Sequence, residues 1–299
     1  MAGAEARAEK PSGTLPSFHR ILLATDFSER SAAAVPYARR LAEYYEARIL
    51  VAHAMPGEET SDGETETEGE AEAGRALAET RVREFLAQNS LGEISYETAV
   101  GEGPVWEVFA PLVEEKNVDL IVLGTHGWSG VGKLLLGSVA QRIFSVAPCP
   151  VASVSPRAHR AWGANGTLSR ILYATGFSQA SLRALPYALS VAKVSGAELL
   201  LLHAPAASEE SSGEITQGYH QHLNALIPAE HKKWCKSDTL VVAGEAERVI
   251  LEAAERTSAD LVVMGAHSVG GSLATFQIPL STAYRVVAHA PCPVLRVRS

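Results

Sequence analysis

Arg20-Ile21-Leu22-Leu23-Ala24-Thr25-Asp26-Phe27-Ser28 returns 150 residues later as Arg170-Ile171-Leu172-Tyr173-Ala174-Thr175-Gly176-Phe177-Ser178. In both places an unbroken apolar run ends in a polar turn, the pattern of a strand buried on both faces of a parallel sheet. Working outward, Val35-Pro36-Tyr37-Ala38 matches Leu185-Pro186-Tyr187-Ala188, and His53-Ala54 matches His203-Ala204. Asp119-Leu120-Ile121-Val122-Leu123-Gly124-Thr125-His126 matches Asp260-Leu261-Val262-Val263-Met264-Gly265-Ala266-His267. Each copy closes alike, in Ala147-Pro148-Cys149-Pro150-Val151 and Ala290-Pro291-Cys292-Pro293-Val294. Matches in one order along the whole chain mark a duplication.

Further apolar runs at 49–51, 120–123 and 151–154 read as buried strands. Between them lie helical stretches such as 31–45, with Ala33, Ala34, Tyr37, Ala38 and Leu41 on one face and Ser28 or Ser31 as cap. Strands alternating with helices mean βαβ units with right-handed crossovers. The fold class is therefore α/β, two tandem open, doubly wound parallel-sheet domains, as a length of 299 residues also favours. The expected organisation is a disordered tail over 1–17, a first domain over 18–155, a linker over 156–169 and a second domain over 170–299. Residues 57–73, rich in Glu, Thr and Gly without a basic residue, read as a solvated acidic insert.

Composition narrows the function classes. A net charge of −8 offers no overall positive field for nucleic acid or an anionic membrane. Apolar runs such as 199–202 are far too short for a membrane span, and the tail lacks a secretory core. Cys149, Cys235 and Cys292 form no zinc-type pair or disulfide framework. A soluble, cytoplasmic protein is expected, with no nucleic-acid or membrane partner.

In open parallel sheets ligands bind beyond the carboxyl ends of strands, where strand order reverses. The first copy places Asp26 after its first strand and Gly124-Thr125-His126-Gly127 after a later one. Nine residues separate Gly127 from Gly137-Ser138, which opens a helix through Val139 and Ala140. Glycines let a sugar and phosphates approach the backbone, and a helix N-terminus offers free N–H groups to an anion. A carboxylate at Asp26 suits a ribose hydroxyl or a metal-bound phosphate. No GxxxxGK[ST] loop occurs.

On Ala24-Thr25-Asp26-Phe27-Ser28, the strand ending in His53, Gly103-Pro104, Gly-x2-Gly-x9-Gly-Ser at 124–138 and Pro148-Cys149-Pro150-Val151, the chain resembles the universal stress protein family. Both halves resemble it, the first more closely. The resemblance implies a Rossmann-like, adenine-nucleotide-α-hydrolase-like fold and, for the first copy, ATP binding. It implies that Asp26 holds the ribose, that the backbone near Ala54 meets the adenine and that Gly124 lies against the ribose. Gly127, Gly137, Ser138 and Val139 would cradle the phosphates, with Mg²⁺ or Mn²⁺ carried on them. The family's habit of pairing through last strands implies an internal pseudo-dimer, with edges at 151–154 and 294–297 in contact, and leaves a homodimer open.

The second copy departs at each of these places. Gly176 stands for Asp26, Ser268 for Gly127 and Leu280-Ser281 for Gly137-Ser138, after a loop two residues longer. The second copy is therefore expected not to bind ATP in this manner. The repeated His53/His203, His126/His267 and Cys149/Cys292 read as packed or hydrogen-bonded residues rather than catalytic ones, and Trp106 and Phe109 as core or interdomain surface. No base–nucleophile pair or HExxH motif occurs. The favoured function is a stress-response ATP-binding protein acting through its bound state. The alternatives are a slow metal-dependent ATPase and an interaction module whose second copy binds another ligand or partner.

Overall fold

The computed structural model describes residues 14–56, 68–125, 137–158, 166–206, 213–266 and 282–298. The first half contributes strands β1 (Arg20–Ala24), β2 (Arg48–Met55), β3 (Tyr96–Glu102), β4 (Leu120–Gly124) and β5 (Val151–Val154). The second contributes β6 (Arg170–Ala174), β7 (Glu198–His203), β8 (Ser237–Val241), β9 (Leu261–Ala266) and β10 (Val294–Arg298). All ten form one sheet in the order β3-β2-β1-β4-β5-β10-β9-β6-β7-β8. Within each half neighbouring strands are parallel. The halves meet where β5 and β10 run antiparallel, with Ala152 opposite Leu295 and Val151 opposite Arg296. The two apolar edges expected to touch thus become the middle of a single sheet.

Helices cover both faces, as unbroken apolar strands require. Ile21 and Leu23 point into one core with α2 (Val35–Tyr45), α3 (Glu68–Gln88), α6 (Gln179–Ser195) and α7 (Gly213–Leu226). Leu22 and Ala24 point into the other with α4 (Val105–Glu115), α5 (Ser138–Val146), α9 (Ala246–Arg256) and α10 (Thr282–His289). The short helices α1 (Glu29–Ala32) and α8 (Ala229–Lys232) complete the set. Each core cluster runs through both halves. Phe18, edge-on to Tyr45 at 5.0 Å, stacks across to Tyr187 of the second half at 6.0 Å, and the hydroxyls of Tyr45 and Ser190 lie 2.8 Å apart, so these contacts help join the halves.

Several sequence expectations change locally. The helix expected over 31–45 is two, because Pro36 lacks the N–H that would continue the first turn and instead opens α2. Ala33 therefore caps α1 on the surface instead of facing the core. The acidic insert ends earlier than residue 73: α3 starts at Glu68 in an Ala- and Glu-rich stretch of strong helix formers, while 57–67 lies outside the described residues. The tail is packed before residue 18, for Leu15 lies against the core and the Pro16 carbonyl accepts the Ser190 hydroxyl. Within the expected linker, Leu168 is buried core. Strand β3 was not anticipated: it lies at the sheet edge, and its sequence Tyr-Glu-Thr-Ala-Val-Gly-Glu shows neither a long apolar run nor clean alternation.

One steric constraint recurs in both halves. A side chain on Gly124 would place its Cβ 2.5 Å from the Arg30 carbonyl oxygen, and one on Gly265 would lie 1.9 Å from the Ala180 carbonyl oxygen. The glycine ending β4 and its counterpart in β9 let the first turn of the next-door helix sit directly on the sheet. Gly265→Ala should therefore lower folding stability by about 1–3 kcal/mol, read as a lower urea midpoint. An unchanged midpoint would contradict this packing.

Candidate functional site

The sheet order reverses between β1 and β4, where a crevice opens beyond the strand ends. A cleft of about 620 Å³, counting the part open to solvent, occupies it. Of the residues singled out from the sequence, Asp26, Ala54, Gly124, Gly137, Ser138 and Val139 all line this cleft. Gly127 lies outside the described residues, as do His126, His267, Ser268 and Leu280. The cleft also takes Ala24, Thr25, Ser31, Val105, Phe109, Leu123, Thr125 and Ala140. The sequence gives no sign of a lining role for Ala24, Val105, Leu123 and Ala140, because apolar strand and helix residues look like ordinary core, and Thr25, Ser31 and Thr125 stand in it only as motif or cap residues. The one legible signal was Phe109, read as core or interdomain surface, which is 2% exposed and closes the apolar side.

The turn after β1 is held by a network present in both halves. Thr25 Oγ1 lies 3.1 Å from Ser31 Oγ and accepts from Phe27 N–H at 3.0 Å. In the second half Thr175, Ser181 and Phe177 repeat it at 3.0 and 3.0 Å. Phe27 and Phe177 both adopt left-handed backbone, at φ 63° and 58°. His53 Nδ1–H donates to the Thr25 carbonyl at 2.8 Å, and His203 donates to the Thr175 carbonyl at 2.9 Å. Each imidazole rests against its phenylalanine ring, at 4.2 and 4.6 Å between centroids. These histidines brace the turn, in keeping with the packed, hydrogen-bonded reading.

On this common frame, among the described residues, the first half sets a carboxylate at Asp26 where the second has Gly176. The Asp26 carboxylate stands at the cleft and accepts from Ser28 N–H at 3.0 Å and Ser28 O–H at 2.5 Å, so it is held by its neighbour in a fixed direction. Gly176 leaves that place empty of side chain, while Ser178 still caps α6 as Ser28 caps α1. At Gly124 the absent side chain is already required by the Arg30 carbonyl, so the glycine serves packing whatever occupies the cleft. Gly137 is different. Its backbone is extended at φ −60° and ψ 152°, a conformation any residue adopts, and its N–H donates to Thr125 O at 2.9 Å. As the N-cap of α5 it brings no capping side chain, and the first intrahelical bond in this turn is Gln141 N–H to Gly137 O. The N-terminal amides of Ser138, Val139 and Ala140 thus face a cleft that can receive an anion.

The other residues with tempting chemistry have structural places. Burial pushes the Cys149 thiol up to about 12 and Cys235 up to about 11, so neither is a ready thiolate. His220 Nδ1 meets Thr239 Oγ1 at 2.7 Å, and His231 packs on Trp234. Among the described residues no three His, Cys, Asp or Glu side chains converge as metal ligands, and no helix is long and apolar enough to cross a membrane.

The sequence model of the universal stress protein family matches residues 17–155 and again 167–298. A universal stress protein of Thermus aquaticus is 35% identical over 146 residues, 45% of this chain and 96% of that protein. One from Mycolicibacterium smegmatis is 27% identical over 292 residues, covering 93% of this chain and 96% of its own. The crystal structure of a universal stress protein from Archaeoglobus fulgidus superposes with a TM-score of 0.71 at 24% identity, over 93% of this chain and 98% of that one.

Burial lowers the pKa of His53, Arg81 lowers it further, and the Thr25 carbonyl and Asp26 oppose the shift without cancelling it. The unfolded chain therefore binds more protons just below the ordinary histidine value of about 6.5. Stability supplied by neutral His53 is complete above that value and falls as pH drops through the window beneath it. The ring protons of His53, followed by NMR, should titrate below 6.5; a midpoint at or above that value would contradict the half-buried, neutral brace.

Proposed function

The chain belongs to the universal stress protein family, and on that footing we propose that it binds ATP in its first half and acts in stress response or signalling through the bound state. The observation that carries this reading is the meeting, in one cleft, of the oriented Asp26 carboxylate with the N-terminus of α5, whose cap is a bare glycine. Asp26 supplies an acceptor for ribose hydroxyls. The amides of Ser138 and Val139, with the Ser138 hydroxyl, suit phosphate oxygens, helped by the positive end of the helix. Ala24, Leu123 and Phe109 offer an apolar wall to the purine, with the Ala54 backbone beside it. A Mg²⁺ or Mn²⁺ ion would be carried by the phosphates, since the described residues offer no three-ligand set. Gly127 completes the phosphate loop in this reading. A cytoplasmic location and a role free of nucleic acid accompany it.

The second half keeps the frame and lacks the carboxylate, so it is assigned no ATP. Gly137→Leu, which borrows the second copy's residue, tests the phosphate end cleanly because the backbone there accepts any side chain. Titration of the full chain with ATP and Mg²⁺ should show binding that weakens about tenfold or more in Asp26→Ala and in Gly137→Leu, the loss of a charge-assisted bond or of close approach. No binding by the wild type, or unchanged affinity in both variants, would contradict the assignment. Phosphate release over hours would move the reading to a slow ATPase.

A further inference from the structure

Across the central strand pair the two halves reach for each other with different side chains. In the parallel sequences Val151-Ala152-Ser153-Val154-Ser155 and Val294-Leu295-Arg296-Val297-Arg298, two serines stand where the second half has two arginines. The Ser155 hydroxyl donates to Ala290 O at 2.6 Å, just past the end of α10. The arginines go to the matching end of α5: Arg296 donates to Phe144 O, and Arg298 to Val146 O at 3.0 Å and Ala147 O at 3.4 Å.

The last four carbonyls of a helix have no partner within it. For α5 the second half supplies partners to three of them, through cations that also suit the negative end of the helix. Arg296 is only 7% exposed, and its guanidinium lies 5.6 Å from the Phe144 ring centroid. Among the described residues no carboxylate pairs with either arginine. A buried cation without a counter-charge is costly, and burial, with Arg298 nearby, lowers the Arg296 pKa to about 10. What holds it is the helix end and the ring. A further cross-half contact, from the Gln141 amide to the Tyr284 hydroxyl, lies on the first turn of α5.

The opposite end of α5, about 14 Å away by helical rise, is Gly137-Ser138 in the cleft. The stronger clamp therefore grips the helix whose free end carries phosphate chemistry, while α10, in the half without an Asp26 equivalent, receives a serine hydroxyl. We propose that Arg296 and Arg298 are positioning residues: the second half fixes α5 along its axis and thereby sets the phosphate affinity of the first. This rests on the ATP reading of the cleft.

The experiment compares ATP with adenosine, which lacks the phosphates, on the full chain carrying Arg296→Met, Arg298→Ala or Arg298→Lys. ATP affinity should fall about tenfold in the first two variants, within the usual range of coupling between sites, while adenosine affinity stays unchanged. Arg298→Lys should restore ATP binding, because an ammonium can still donate to the helix end. Arg298 is the less buried of the pair, so Arg298→Ala decides the matter if Arg296→Met does not fold. Equal losses for ATP and adenosine, or no loss in a protein whose wild type binds ATP, would overturn the positioning role alone. Failure of the wild type to bind ATP would overturn it together with the reading beneath it.

Discussion

The antiparallel pairing of β5 with β10 is the contact on which the shape of this molecule depends. Each half is an open parallel sheet whose last strand would otherwise present a row of unpaired backbone groups. Joining those two edges turns five strands and five strands into one sheet, and lets both core clusters continue from one half into the other. It also fixes which side chains face the neighbouring half. Ser153, Ser155, Arg296 and Arg298 cross the seam only because the register places them there.

Beneath that seam the halves share a frame that owes nothing to a ligand. The glycine at the end of β4 or β9, the Thr–Ser pair after β1 or β6 and the histidine donating to a threonine carbonyl occur in both. Their presence in the half that has Gly176 in place of Asp26 shows that the frame does not depend on the carboxylate. What survives duplication without the carboxylate is needed to build the turn. What differs, Asp26 against Gly176 above all, is the part that the shared turn does not need. The same comparison narrows the role of Gly124, whose missing side chain the Arg30 carbonyl explains.

Much of this was legible in the sequence because the repeat exposed it. The buried strands announced themselves by apolar runs, while the place where the halves join came from the family resemblance and its pairing through last strands. Asp26, Gly124 and Gly137-Ser138 could be placed at strand and helix ends by spacing alone. The rest depends on contacts far apart in the chain. Edge strand β3 carries little apolar pattern because half of it faces outward. Phe109 looked like core, and it is core, but core that walls a cleft. The partners of Arg296 lie about 150 residues away in α5, and nothing local to Val-Leu-Arg-Val-Arg marks its third residue as buried beneath a helix end.

The two halves are alike in fold, and the proposed function makes them unlike in use, with one nucleotide site per chain. Counting ATP bound per chain at saturation, by equilibrium dialysis with Mg²⁺, tests it most directly. One ATP per chain is the expected result. Two would show that the half carrying Gly176 binds despite lacking the carboxylate, and none would remove the ligand from the account altogether.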